Sequence, residues 1–209
     1  MSTSSVIVVT GLPGAGKTTL ARQLAARYRL PLIAKDLIKE PLLDALGATD
    51  ASQSRRLSDA SFAVLFRVAR ELTAAGASFL LEGNFRPGEH EAPFREALRL
   101  VDGAGTTTAT SALSAATGTV RVAQALCRVP EIERIARLQA RERNTSRHAG
   151  HRFGERQSAD VSRAAVADSS LRGDAFLDLP SARFVHDGAG GRTVHAALDD
   201  WMNLRAPSP

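Results

Sequence analysis

Two rhythms of apolar residues alternate along this chain. Ser5-Val-Ile-Val-Val-Thr10 is a compact β-branched run that predicts a buried strand, and Gly11 breaks it. From Lys17 to Tyr28 the apolar positions Leu20, Leu24 and Tyr28 recur at helical spacing. Pro31–Ala34 predicts a second strand, ending at Lys35-Asp36, and Leu37–Leu46 a helix. Ser54–Ala75 predicts a long helix with Leu57, Ala60, Ser61, Val64, Leu65, Val68 and Leu72 on one face, stopped by Gly76. Ala77–Leu81 is a third strand, ending at Glu82-Gly-Asn-Phe85, before a helix over Glu89–Val101. Val120–Cys127 is a fourth strand. Glu131–Arg143 is a helix whose packed side is Ile132, Ile135 and Leu138. A further helix is expected over Ala159–Ala167, a fifth strand over Ala182–His186 and a closing helix over Val194–Leu204.

Five strands alternating with helices predict an α/β fold: a five-stranded parallel sheet with helices on both faces, binding ligands at the carboxyl ends of the strands. The 209 residues suit one domain, 1–209, and no internal repeat is visible. Gly103–Thr119 holds only Gly, Ala, Thr, Ser and one Leu, and reads as a flexible low-complexity loop.

Composition narrows the class. With 44% hydrophobic residues the chain can bury a core, and no apolar run approaches the ~20 residues of a membrane span. The single cysteine, Cys127, excludes a disulfide scaffold and a Cys-rich zinc site, and reads as a reduced thiol. Met1–Ser5 carries no positive charge and Val6–Val9 is too short for a signal peptide, so a cytoplasmic protein is expected. The net charge is +5, and only three of the 27 basic residues are lysines: Lys17, Lys35 and Lys39. That charge admits an anionic partner. Few aromatic residues and no recognisable nucleic-acid motif disfavour DNA or RNA.

The chemistry concentrates at the first turn. Gly11-Leu-Pro-Gly-Ala-Gly-Lys17-Thr18 fits G-x-x-x-x-G-K-[ST], between a strand and a helix. Backbone N–H groups from Gly11, Gly14, Ala15, Gly16, Lys17, Thr18 and Thr19 are expected to cradle the phosphates of a nucleoside triphosphate. Lys17 should reach the β- and γ-phosphates and Thr18 should ligate Mg²⁺. No N-K-x-D or T-K-x-D guanine signature is present.

Two carboxylates follow at strand ends. Asp36 is placed to accept a proton from an attacking hydroxyl, a task an alcohol acceptor needs and a phosphate acceptor does not; its alternative role is a helix N-cap. Lys35 beside it is read as facing solvent. Glu82 ends an apolar strand and is expected to hold Mg²⁺ or to contact the acceptor; Asn84 is expected at the acceptor, and Arg86 at the acceptor or the phosphate, or else at the surface. The stretch 134–157 contains seven arginines and reads as a small lid. Arg137 and Arg141 are its candidates for neutralising charge on the transferring phosphate. His148 and His151 lack a third ligand for zinc.

Together, Gly11–Thr18, Asp36, Leu81-Glu-Gly-Asn84 and the Arg-rich stretch resemble the P-loop small-molecule kinases, near the zeta-toxin and chloramphenicol phosphotransferase group. The resemblance implies a three-layer P-loop NTPase fold with an Arg-rich lid, ATP and Mg²⁺, and transfer of the γ-phosphate to a hydroxyl of a nucleoside, sugar or antibiotic-like molecule. It maps the phosphate-binding lysine onto Lys17, the Mg²⁺ hydroxyl onto Thr18, the base onto Asp36 and the lid arginines onto Arg137 and Arg141. A nucleoside monophosphate kinase and a non-catalytic ATP switch that binds nucleic acid are the alternatives. The acceptor pocket is expected among Leu37–Leu46, Ser54–Leu72 and Phe85–Phe94, and the sequence leaves the oligomeric state open.

Overall fold

The structure is a computed structural model that describes residues 3–48, 50–100, 119–143, 175–187 and 193–203, with the backbone alone given for 51 and 141–143. The predicted loop at 103–118, the helix at 159–167, most of the predicted lid, and the side chains of Arg141, His148 and His151 lie outside the described residues.

The elements follow the predicted alternation. They are β1 (Ser4–Gly11), α1 (Lys17–Tyr28), β2 (Leu32–Ala34), α2 (Lys35–Leu46), α3 (Ala51–Ala74), β3 (Phe79–Glu82), α4 (Glu91–Leu98), β4 (Val120–Cys127), α5 (Glu131–Arg143), β5 (Ala182–His186) and α6 (Val194–Asn203). The five strands pair in the order β2-β3-β1-β4-β5, every pair parallel. This is the expected α/β sheet. β1 sits at its centre and is buried throughout, which is why Val6–Val9 run apolar without alternation.

Successive residues of β1 serve opposite layers. Val6 and Val8 pack with Leu65 and Ala69 of α3 and Phe94 and Leu98 of α4. Ile7 and Val9 pack with Leu20 and Leu24 of α1 and with Val194, Leu198 and Trp201 of α6. Helices therefore cover both faces. Gln124 of β4 is buried between layers and fully engaged: its amide nitrogen donates to Leu177 O and Ser181 Oγ, and its oxygen accepts from Leu177 N. A buried amide so satisfied costs little and fixes the 177–181 segment. Tyr28 and Arg27 at the end of α1 both bond Asp199 of α6, joining the layer on that side.

After β1 the chain crosses to β2 on one side of the sheet, and after β4 to β5 on the other. The order reverses beside β1, and the carboxyl ends there open the crevice where such sheets bind ligands.

Three local expectations are corrected. α2 begins at Lys35, so Asp36 lies in its first turn and does not end β2; the N-cap is Ala34, with no side-chain cap. A carboxylate there is favoured by the helix dipole rather than by capping. On α3 the buried face is Ser54, Ser61, Leu65, Ala69 and Thr73, and Val64 and Val68 are 43% and 37% exposed. The face is rotated because Phe62 and Phe66 pack toward β3 and α4. On α5 Leu138 of the expected apolar side is half-buried, but the two isoleucines face out: Ile132 is 85% exposed and Ile135 42%. Its packed side contains Arg134, whose side chain is 14% exposed, and the reason lies at the phosphate-binding loop.

Candidate active site

Residues 11–18 bend because their glycines adopt backbone angles that other residues avoid. Gly11, Gly14 and Gly16 have φ of 138°, 86° and 92°. Gly11 also has a neighbour at its back: a β-carbon there would stand 2.4 Å from Cys127 O. The loop is closed internally by Ala15 N donating to Leu12 O at 3.1 Å and by Lys17 Nζ donating to Leu12 O at 3.0 Å. α1 then starts at Lys17 with Gly16 as its N-cap, so the positive end of the helix points into the loop. Thr19 is exposed on the first turn.

α5 packs directly on this loop. A β-carbon on Gly14 would lie 3.0 Å from Arg134 O and 3.2 Å from Leu138 Cγ, and one on Gly16 would lie 3.6 Å from Arg137 Nη1. This explains the inverted helix. Its basic face meets a loop built to surround anions, and its isoleucines turn away. Arg137 is held by an ion pair with Glu133 one turn earlier, and Arg134 contacts Glu131 at 3.8 Å.

On the other flank, Glu82 pairs in register with Val9 of β1 and Ala34 of β2. It is 4% exposed, and Thr18 Oγ1 lies 3.5 Å from its Oε2. Burial pushes its carboxyl above the usual carboxylate range. The Lys17 charge opposes that shift, the Asp36 charge adds to it, and the Thr18 hydroxyl and the Lys35 charge oppose it further. Five side chains from β3, α1 and α2 thus act on one another at the carboxyl edge.

Asp36 is half exposed, with Oδ1 3.1 Å from Lys35 Nζ. Lys35, expected in solvent, is buried at 8% exposure. Asn84 is half-buried beyond Glu82. Arg86 is exposed and pairs with Glu89 at 3.2 Å.

Two stretches expected around the acceptor, Ser54–Leu72 and Phe85–Phe94, meet in an aromatic cluster behind this edge. Phe85 lies 4.8 Å from Phe94 and 5.7 Å from Phe62, ring centre to ring centre, and His90 lies 4.5 Å from Phe62. His90 is buried, its Nδ1 accepts from Arg86 N at 2.9 Å, and burial holds its pKa below the usual histidine range. Such rings contribute about 0.5–1.5 kcal/mol per pair beyond their buried area and stiffen the turn after β3. Their scattered spacing from 62 to 94 gave no local signal. Lys35 and Lys39, four apart on α2, did carry one.

The donor set fits a magnesium nucleotide: a hydroxyl, a buried carboxylate and an ammonium beside a glycine loop at a helix N-terminus. Among the described residues no three His, Cys, Asp or Glu side chains converge as a self-sufficient metal site. No helix of the described residues is long and apolar enough to cross a membrane.

Comparison with known proteins agrees with the fold. The sequence model of the AAA domain family matches residues 6–167, and the chain belongs to that family. A solved candidate kinase from Chloroflexus aurantiacus J-10-fl is 26% identical, covering 98% of this chain and 100% of its own at a TM-score of 0.75. A sugar kinase from Janibacter sp. HTCC2649 is 18% identical, covering 97% and 96% at a TM-score of 0.54, which speaks to the fold alone. No curated protein matches. The chain is a P-loop protein of the small-molecule-kinase-like kind.

Proposed function

We propose that the protein is an ATP-dependent phosphotransferase that moves the γ-phosphate to a hydroxyl of a small molecule. One observation carries the reading: buried Glu82 faces Thr18 and lies within electrostatic reach of Lys17 and Asp36. A phosphate cradle, a hard-oxygen pair suited to Mg²⁺ and a half-exposed carboxylate therefore meet at one edge. The family match and the likeness to a candidate kinase support the same class.

In this mechanism the loop N–H groups and Lys17 hold the phosphates in line. Thr18 and Glu82 would hold Mg²⁺, which when bound neutralises charge between the β- and γ-phosphates. Asp36 accepts the proton of the acceptor hydroxyl as its oxygen bonds to the γ-phosphorus and the bond to the β-phosphate oxygen breaks, releasing ADP. Arg137, beside Gly16, balances the charge spread over the transferring oxygens. Arg141 follows it by one helical turn on α5 and is assigned the same role. Asn84 orients the acceptor. Exposed Asp36 suits an acceptor arriving from solvent.

The test is mass spectrometry of ATP·Mg²⁺ reactions with pooled nucleosides, sugars, hydroxylated antibiotics and nucleoside monophosphates, for the natural protein and Asp36→Asn. A phosphorylated alcohol that vanishes in the variant is expected. Product only on monophosphates, with Asp36 dispensable, would overturn the alcohol reading in favour of a nucleotide kinase. Bound ATP with salt-sensitive nucleic-acid binding and no product would overturn the enzyme reading altogether.

A further inference from the structure

The chain has three lysines, and the charges of two of them, Lys17 and Lys35, reach Glu82. Lys17 belongs to the loop. Lys35 and Lys39 lie four residues apart on α2, 8% and 7% exposed, whereas Leu37 and Leu46 of the same helix are 52% and 69% exposed. A helix arranged by apolar burial alone would do the reverse, because desolvating an ammonium is costly and burying a leucine is favourable.

Contacts account for the inversion. Lys39 Nζ donates to the buried Ser54 Oγ at 3.0 Å and so ties α2 to the first turn of α3. Lys35 Nζ sits 3.1 Å from Asp36 Oδ1, and its charge also reaches Glu82. Adjacent residues on a helix point about 100° apart and do not face each other. The Lys35–Asp36 contact is therefore not a by-product of spacing: a side chain 10% exposed wraps back to a carboxylate 54% exposed.

We propose that Lys35 is a positioning residue for phosphoryl transfer: its buried ammonium fixes the Asp36 carboxylate at the mouth of the crevice, and Lys39 pins the helix that carries the pair. A fixed carboxylate meets an incoming hydroxyl in one geometry, and a misplacement of about 1 Å costs on the order of 100-fold in rate. Lys35 acts through Asp36 and itself takes neither proton nor phosphate. The assignment rests on Asp36 being the proton acceptor.

The experiment uses Mg·ATP with water as the hydroxyl acceptor, and any alcohol the panel yields. It measures kcat and KM for Lys35→Met, Lys35→Arg, Asp36→Asn and the Lys35→Met/Asp36→Asn double variant. Expected are a kcat lowered about 10- to 100-fold in Lys35→Met, a KM for ATP within about threefold of the natural protein, and recovery of most of the loss in Lys35→Arg. In the Asp36→Asn background Lys35→Met should add nothing, because coupled residues fail to add. Lys35→Gln replaces Lys35→Met if the latter does not fold. Near-natural kcat in Lys35→Met, or losses that multiply in the double variant, would overturn the positioning role and leave Asp36 as base. Full turnover in Asp36→Asn, or no ATP turnover with water or any alcohol, would overturn the reading beneath it.

Discussion

The Thr18 hydroxyl and the Glu82 carboxylate face each other at 3.5 Å across 64 positions of sequence. That separation exceeds the ~2.5–3.0 Å of an ordinary hydroxyl hydrogen bond, so the two oxygens oppose without closing on one another. If they hold Mg²⁺ together, Glu82→Gln should raise the Mg²⁺ concentration for half-maximal turnover by about 10- to 100-fold. A Mg²⁺ titration at saturating ATP reads this directly, and an unchanged midpoint would remove Glu82 from the metal site.

Arg137 stands against Gly16, and in the proposed transfer its guanidinium balances charge developing on the phosphate. Arg137→Ala should lower kcat by about 10²- to 10³-fold and change ATP affinity far less. Steady-state kinetics with a nucleotide-binding titration separates the two. A loss confined to affinity would make Arg137 a ground-state contact.

Gly11 has no room for a side chain. Its φ of 138° and the Cys127 carbonyl 2.4 Å from a would-be β-carbon act in the same direction. Gly11→Ala should destabilise the fold by roughly 3 kcal/mol or more, read as a lowered urea midpoint. A shift below ~1 kcal/mol would mean that β1 and β4 part easily there.

Cys127 is buried at the end of β4, and burial pushes its thiol up to about 12. As the chain's single thiol it should resist a thiol-reactive dye at pH 8 in the native state and react promptly in denaturant. Stoichiometric labelling at the same rate in both conditions would contradict the structure.

His90 is held below the usual histidine range by burial. The unfolded chain binds its proton first, so stability is full above about pH 6.5 and falls as pH drops through that value toward the folded pKa. His186, also lowered chiefly by burial, adds a slope of the same sign. Melting temperatures between pH 5 and 7 should fall least in a His90→Gln/His186→Gln double variant. Equal slopes in natural and doubly substituted protein would assign the acid sensitivity elsewhere.

Much of this protein is written locally. The strand at Val120–Cys127, the helix at Lys17–Tyr28 and the glycine loop between β1 and α1 depend on near-neighbour sterics and periodicity, which a single chain displays. The nucleotide end of the site was legible for that reason. Tertiary structure alone decided which way the flanking helices turn. α5 carries both an isoleucine edge and an arginine edge, and the phosphate loop selected the arginines. α2 offers leucines and lysines at comparable spacing, and Asp36, Ser54 and Glu82 drew the lysines inward. Glu82, Thr18 and Asp36 meet because parallel pairing of β1, β2 and β3 brings their carboxyl ends to one edge. Such contacts depend on electrostatic partners supplied by other elements, and local periodicity carries no record of a distant partner.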